Sequence, residues 1–200
     1  MYNTKRMPEY PLNQSFYNHQ VVEVAFDLIG KRLVRQMNGF YITGLICETE
    51  AYDGMSDLAC HAHVGKTNRT AIMFGPPGFA YVYFTYGMHW CFNVVTGEEG
   101  YAAAVLIRAI IPESGLEFIA NNRQGIDRKQ WVNGPAKLTK ALMIDKSQNG
   151  VNLSNRQSGL WIEEGTYIDK SSIHQGPRIG IDRTPEPWRS KPWRFWVEKI

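Results

Sequence analysis

Apolar positions along the chain follow two rhythms. Val21, Val22, Val24, Ala25, Leu28 and Ile29 recur at helical spacing, which predicts a helix with Gly30 at its C-terminal end. Asn38-Gly39 then predicts a tight hairpin between strands Arg32–Gln36 and Phe40–Glu50. Pro76-Pro77-Gly78 punctuates, and the strand from Phe79 to Tyr86 carries Tyr81 and Tyr83 on one face at period two. A further arm, His89–Thr96, turns at Gly97–Gly100 into the apolar strand Ala102–Ile111, which Pro112 is expected to close. Glu113–Arg123 reads as helix, and Gly134-Pro135 opens another through Leu142. Short strands at Leu160–Glu163, Arg178–Ile181 and Arg194–Val197 alternate with Pro/Gly loops. Hairpin-linked strands with helices to the side predict an α+β fold, a single mixed domain over residues 19–200. Residues 1–18 read as a leader with no assigned role.

Composition narrows the class. The 200 residues are 44% hydrophobic and 20% charged, enough apolar content for a real core. No run approaches the ~18 apolar residues that span a bilayer, and the longest apolar stretch, Tyr101 to Ile111, is broken by Arg108. The polar start, Met1 to Asn13, is not a secretory signal. Cys47, Cys60 and Cys91 are odd in number and form no Cys-x-x-Cys pair, which points to a reducing interior. A cytoplasmic protein is the expectation. Net charge is +3, but residues 1–100 hold 7 Lys and Arg against 9 acids, while residues 101–200 hold 15 against 10. The basic run from Arg178 to Lys199 permits a nucleic-acid face and equally a solvated surface.

Three segments are hard to explain by folding needs alone. In Glu48-Thr49-Glu50-Ala51-Tyr52, alternation puts Glu48, Glu50 and Tyr52 on one side of a strand. Acids following Leu45-Ile46-Cys47 are costly unless used or paired, although a solvent-facing sheet edge would also accommodate them. Asp57, Cys60, His61 and His63 suggest zinc ligands, but they are bunched in one loop with no second pair at a usual spacing. Gly65-Lys66-Thr67 is not the tail of a phosphate-binding P-loop, because Cys60 stands where that motif needs glycine. Lys66, Thr67 and Arg69 remain as a cluster suited to backbone phosphates, or as an ordinary hydrophilic loop. In the aromatic run Tyr81–Trp90, Phe84 and Trp90 are expected in the core. Tyr86-Gly87, at a turn, would project a flat ring outward, as base stacking or insertion into a duplex requires.

Together these segments resemble the alkyladenine (3-methyladenine) DNA glycosylase family. The resemblance is carried by Glu48-Thr-Glu-Ala-Tyr52, Asp57-Leu-Ala-Cys-His61, Gly65-Lys-Thr-Asn-Arg69, Met73-Phe74, Gly78 through Met88, Asn93, Val105-Leu-Ile-Arg-Ala109, Asn133-Gly-Pro-Ala-Lys-Leu138, Pro177-Arg-Ile-Gly180 and Arg194-Phe195. These pieces run in family order over roughly residues 20–197. Asn68 departs from the proline often found there, and the chain ends at Ile200, short of the tail some members carry.

The resemblance implies a curved antiparallel sheet flanked by helices, a DNA-binding face, no cofactor and no metal. It implies a monofunctional glycosylase of alkylated or deaminated purines in double-stranded DNA, acting after base flipping and leaving an abasic site. Residue by residue, Glu50 matches the general base and Arg108 the arginine that positions the water or an adjacent phosphate. Tyr52, His61 and Tyr83 match pocket walls, and Asn93 meets the purine's minor-groove edge. A backbone carbonyl around Ile179 is expected to complete the water's shell. Tyr86, with Met88, matches the intercalating wedge, and Lys66, Thr67 and Arg69 match the contacts to the DNA backbone. The reaction needs only a monomer, nucleoid-associated in a prokaryote or nuclear in a eukaryote. With no lysine at a matched position, neither a Schiff base nor a lyase step is expected. The alternatives are a metal-dependent hydrolase using Asp57, Cys60, His61 and His63, and a nucleic-acid binding module without turnover. The presence of Glu50 with Arg108 argues against the latter.

Overall fold

The computed structural model describes residues 10–198. Helices α1 (Gln14–Tyr17) and α2 (Val21–Asp27) precede a hairpin of β1 (Arg32–Met37) and β2 (Phe40–Tyr52). Strands β3 (Ala80–Thr85), β4 (His89–Thr96) and β5 (Ala103–Ser114) follow, then helices α3 (Leu116–Asn122) and α4 (Pro135–Ala141). Three short strands end the chain: β6 (Leu160–Glu163), β7 (His174–Gly176) and β8 (Arg194–Trp196). Every ladder is antiparallel, in the order β3-β4-β5-β2-β1-β6. β8 joins β2 at Glu48–Glu50 beyond the end of its pairing with β1, and β7 pairs with β8. The result is the expected α+β domain, a single curled antiparallel sheet flanked by a few helices.

The curl has local causes. β2 slips register against β5 between Thr43 and Gly44 and again on both sides of Glu48. Such bulges bend a strand and sharpen its twist. At Gly44 the strands approach so closely that a Cβ would lie 2.8 Å from the Ile111 carbonyl oxygen. The β1–β2 turn forms at Asn38-Gly39, with φ of 48° and 81°, the left-handed pair that a two-residue hairpin demands.

Period-two alternation divides the sheet into two faces. Ala51, Ala80, Val82, Phe92, Val94, Ala103, Val105 and Ile107 enter the main core, which also takes in Val24, Ala25 and Leu138 from α2 and α4. Their alternates, Tyr81, Val95 and Ala104, join Cys60, Ala62 and Met73 in a smaller cluster on the opposite face, with Tyr52 and Tyr83 packed against it. Strands β4 and β5 are buried on both sides for most of their length and read as nearly unbroken apolar runs. The smaller cluster is where the site forms.

Three boundaries differ from the sequence reading. β5 does not stop at Pro112; it runs to Ser114, with Pro112 opposite Gly44 beside the register slip, where the ladder is already irregular. The following helix begins only at Leu116, because Gly115, at φ 70°, turns the chain so tightly that a Cβ would sit 2.6 Å from the Tyr41 carbonyl. Residues 178–181 form no strand; β7 takes the ladder position just before them. Within residues 1–18, residues 1–9 lie outside the described residues. From Pro11 onward the segment is docked on the fold: the Leu12 N–H donates to the Ile162 carbonyl at 2.8 Å, and Tyr17 is fully buried. Among the described residues no helix is long and apolar enough to cross a membrane.

Candidate active site

Glu50 sits near the end of β2 with no exposed surface. The sheet edge that would have left it in solvent is absent, since β5 pairs on one side of it and β8 on the other. Three donors hold its carboxylate. The Ile179 main-chain N–H donates to Oε1 at 2.6 Å, the Tyr52 hydroxyl donates to Oε2 at 2.9 Å, and Arg108 Nη1 lies 3.2 Å from Oε2. Burial lifts Glu50 above the ordinary carboxylate range, while Arg108, the Ile179 N–H and the Tyr52 hydroxyl pull it back and Glu48 adds to the rise. The outcome is a desolvated but fully partnered acid, more basic than a surface glutamate.

Arg108 projects from β5 between two acids. Its Nε donates to Glu48 Oε1 at 3.0 Å, and Arg194 Nη1 reaches the same oxygen at 3.4 Å. Burial opposes the charge on Arg108, but Glu50 and Glu48 more than restore it. Glu48 is thus a site residue that the alternation of the Glu48–Tyr52 segment already signalled, and Arg194 is one that sequence spacing alone does not connect to it.

Beside Tyr52, Arg108 and Ile179, the three residues that hold Glu50, opens a cavity of about 370 Å³, within the range of small-ligand pockets; Glu50 lies behind them and does not itself line it. Tyr52, His61, Tyr83, Tyr86, Asn93, Arg108 and Ile179 all line it. The His61 and Tyr83 rings meet edge to face with centroids 4.4 Å apart. His61 Nδ1 lies 3.0 Å from the hydroxyl of Tyr81, a lining residue that the strand alternation singles out but to which the resemblance assigns no role. Burial first, and Arg69 second, bring His61 down to about 4, so its imidazole is neutral at neutral pH. Asn93 donates from Nδ2 to the Tyr81 carbonyl at 3.1 Å, which fixes its amide in the wall.

At the rim, the β3–β4 turn lifts Tyr86 out of the fold. It is 84% exposed and held at φ 52°, with Gly87 at φ 67°, the left-handed turn backbone that joins β3 to β4 and is uncommon for a bulky side chain. Met88, two residues on, is also exposed, and so is Phe84, expected in the core. Phe84 lies on the same protruding hairpin and covers Trp90 from outside, with ring centroids 4.7 Å apart; Trp90 packs against the core as expected.

The Lys66–Arg69 loop does not line the cavity. Lys66 is exposed, whereas the Thr67 hydroxyl is engaged with Thr70 Oγ1 at 3.0 Å. Arg69 lies at the rim with its guanidinium 5.1 Å from the Tyr83 ring centroid. Around Ile179, the group that reaches Glu50 is the amide N–H. The four residues that suggested zinc diverge. Asp57 is paired with Arg178, Cys60 is buried, His61 meets Tyr81, and His63 faces the Met55 carbonyl at 3.3 Å. Among the described residues no three His, Cys, Asp or Glu side chains converge as a metal set.

The site thus joins a buried, partnered acid, an aromatic-walled cavity beside it and a protruding tyrosine at the rim. In sequence comparison, the family described as Methylpurine-DNA glycosylase matches residues 15–200. The chain is 47% identical to a protein of Carboxydothermus hydrogenoformans over 94% of this chain and 95% of that one. It is 45% identical to one of Desulfitobacterium hafniense and 42% identical to one of Clostridium perfringens, with the same shares covered, 94% and 95%. All three relatives carry the provisional name 3-methyladenine DNA glycosylase. The chain belongs to the methylpurine-DNA glycosylase family and is a hydrolase of N-glycosyl bonds with DNA as its substrate.

Proposed function

We propose that this enzyme serves base excision repair: it extrudes a damaged purine nucleotide from double-stranded DNA and hydrolyses its glycosidic bond, leaving an abasic site. 3-Methyladenine, the base in its relatives' names, and deaminated purines such as hypoxanthine are the proposed substrates. The observation that carries this reading is the buried Glu50 carboxylate, held by Ile179, Tyr52 and Arg108 beside an aromatic pocket. Extrusion costs a few kcal/mol of unstacking, less at a weakened pair. Tyr86, with Met88 beside it, fills the gap in the stack, and Lys66 and Arg69 meet the phosphates of the strand.

Tyr52, His61 and Tyr83 form the walls of the base pocket. Electron-rich rings favour a cationic alkylpurine by ~0.5–2 kcal/mol. Asn93 faces the purine edge and disfavours the exocyclic amino group of normal guanine. Glu50 takes a proton from water as the water oxygen bonds to C1′ of the sugar. The C1′–N bond breaks and its electron pair leaves with the base. Arg108 opposes the rise that burial imposes on the carboxyl and aims it. A monomer suffices.

The test is incubation of purified protein with duplexes carrying 3-methyladenine, hypoxanthine or ethenoadenine, with excess chelator present. Base release with strand breaks only after alkali supports the reading. No release, or breaks before alkali, contradicts it.

A further inference from the structure

Glu50 is held by a main-chain N–H from a segment that has no ladder of its own. Residues 177–180 belong to no helix or strand, and Gly180 turns the chain at φ 81°. What anchors this segment is the side chain of Arg178, next to Ile179. Its guanidinium pairs with Asp57, and both side chains are fully buried. Nη2 donates to Asp57 Oδ1 at 3.0 Å and to the Trp188 carbonyl at 3.1 Å, and Nη1 donates to the Ala51 carbonyl at 2.9 Å. The guanidinium also lies 4.8 Å from the Tyr52 ring centroid and 5.1 Å from that of Trp193. Asp57 is fixed in turn by the N–H groups of Asp53 and Ala59, at 3.1 and 3.0 Å.

A buried ion pair is weak evidence for stability, since removing two charges from water costs about what their attraction returns. This one instead connects three parts of the site. It touches Ala51, between Glu50 and Tyr52; it lies over the ring whose hydroxyl donates to Glu50; and it ends one peptide before the Ile179 donor.

We propose that Asp57 and Arg178 are positioning residues that aim the Ile179 N–H and the Tyr52 hydroxyl at the Glu50 carboxylate. This rests on Glu50 being the base. Glu50 is faced by Glu48 and Tyr52 on β2, by Arg108 on β5, by the Cys91 thiol on β4 and by the Ile179 N–H. Arg194 on β8 is its ladder partner, with a guanidinium that turns to Glu48. Of these, Ile179 and Tyr52 depend on the pair, whereas Arg108 and Glu48 do not. Weakening the pair therefore loosens the donors that favour the ionised form and leaves the opposing burial in place.

Asp57→Asn is the primary test, because asparagine keeps a carbonyl oxygen for a backbone donor and conserves volume. Arg178→Lys is the second variant. Single-turnover excision is measured from pH 5 to 9 alongside the pH titration of the Glu50 carboxyl by 13C NMR. The expected result is an acid limb and a Glu50 titration that both move upward by about one pH unit. The rate at the acid end falls about ten-fold, the scale of one hydrogen bond to a charged group. A thermal shift alone, with the Glu50 titration and the shape of the pH profile unchanged, overturns the proposal. Glu50→Gln, run in parallel, tests the base assignment separately: wild-type excision by that variant removes Glu50 from the chemistry, while the NMR titration still reports on the pair.

Discussion

The Ile179 main-chain N–H donates to Glu50 Oε1 at 2.6 Å across 129 positions of sequence. The other oxygen takes Tyr52 from the same strand and Arg108 from the neighbouring one. Three distant parts of the chain thus satisfy one carboxyl group and partly offset the burial that favours its protonated form. Burial outweighs these partners and leaves Glu50 more basic than a surface acid, which suits the proton removal proposed for it. The aromatic pocket beside it suits a flat heterocycle.

Tyr86→Ala removes a ring that is 84% exposed and leaves the sheet beneath untouched. Stacking against a base is worth ~1–3 kcal/mol, so affinity for a lesion duplex is expected to fall about five-fold or more. A mobility-shift titration checks this. Unchanged affinity would mean that the ring does not enter the stack.

Lys66→Ala is expected to weaken binding to all duplexes equally and to reduce the salt slope of log K by about 0.9, one phosphate contact. Arg69→Ala differs, because its guanidinium also lies over Tyr83 and depresses His61. Its loss should reduce lesion binding more than binding to undamaged DNA. Titrations at several salt concentrations read both effects, and an unaltered slope for Lys66→Ala would place that loop off the backbone.

His61 supplies a pH dependence of stability. Its folded value of about 4 lies below the ordinary histidine range because of burial and Arg69. Between about pH 6.5 and 4 the unfolded chain therefore binds the proton that the folded imidazole refuses. Stability should fall as pH drops through that window, and less steeply in His61→Gln. Thermal unfolding across the window checks this, and parallel curves would contradict it.

Much of the site was legible where chemistry is local. Glu48, Glu50 and Tyr52 follow an apolar run in one strand, and that conflict between charge and core pointed to use. The Asn38-Gly39 turn and the Tyr81/Tyr83 alternation were equally local. What escaped depends on contacts that no spacing reveals. The alternation of Arg178-Ile179-Gly180-Ile181 reads as a strand, but β7 already fills that ladder and a buried aspartate claims Arg178. Phe84 reads as core by composition, yet it rides on the hairpin that lifts Tyr86 into solvent. Pro112 reads as a stop, but a register slip in β2 gives it a place without a donor.

The most direct measurement compares Glu50→Gln with the unaltered protein in single-turnover excision of hypoxanthine from a duplex, together with binding to the same duplex. A glutamine fills the same volume but cannot accept a proton from water. Binding should stay within about two-fold while excision falls by about 10²–10⁴, the usual contribution of a general base. Excision at the unaltered rate, with binding intact, would contradict the assignment of Glu50.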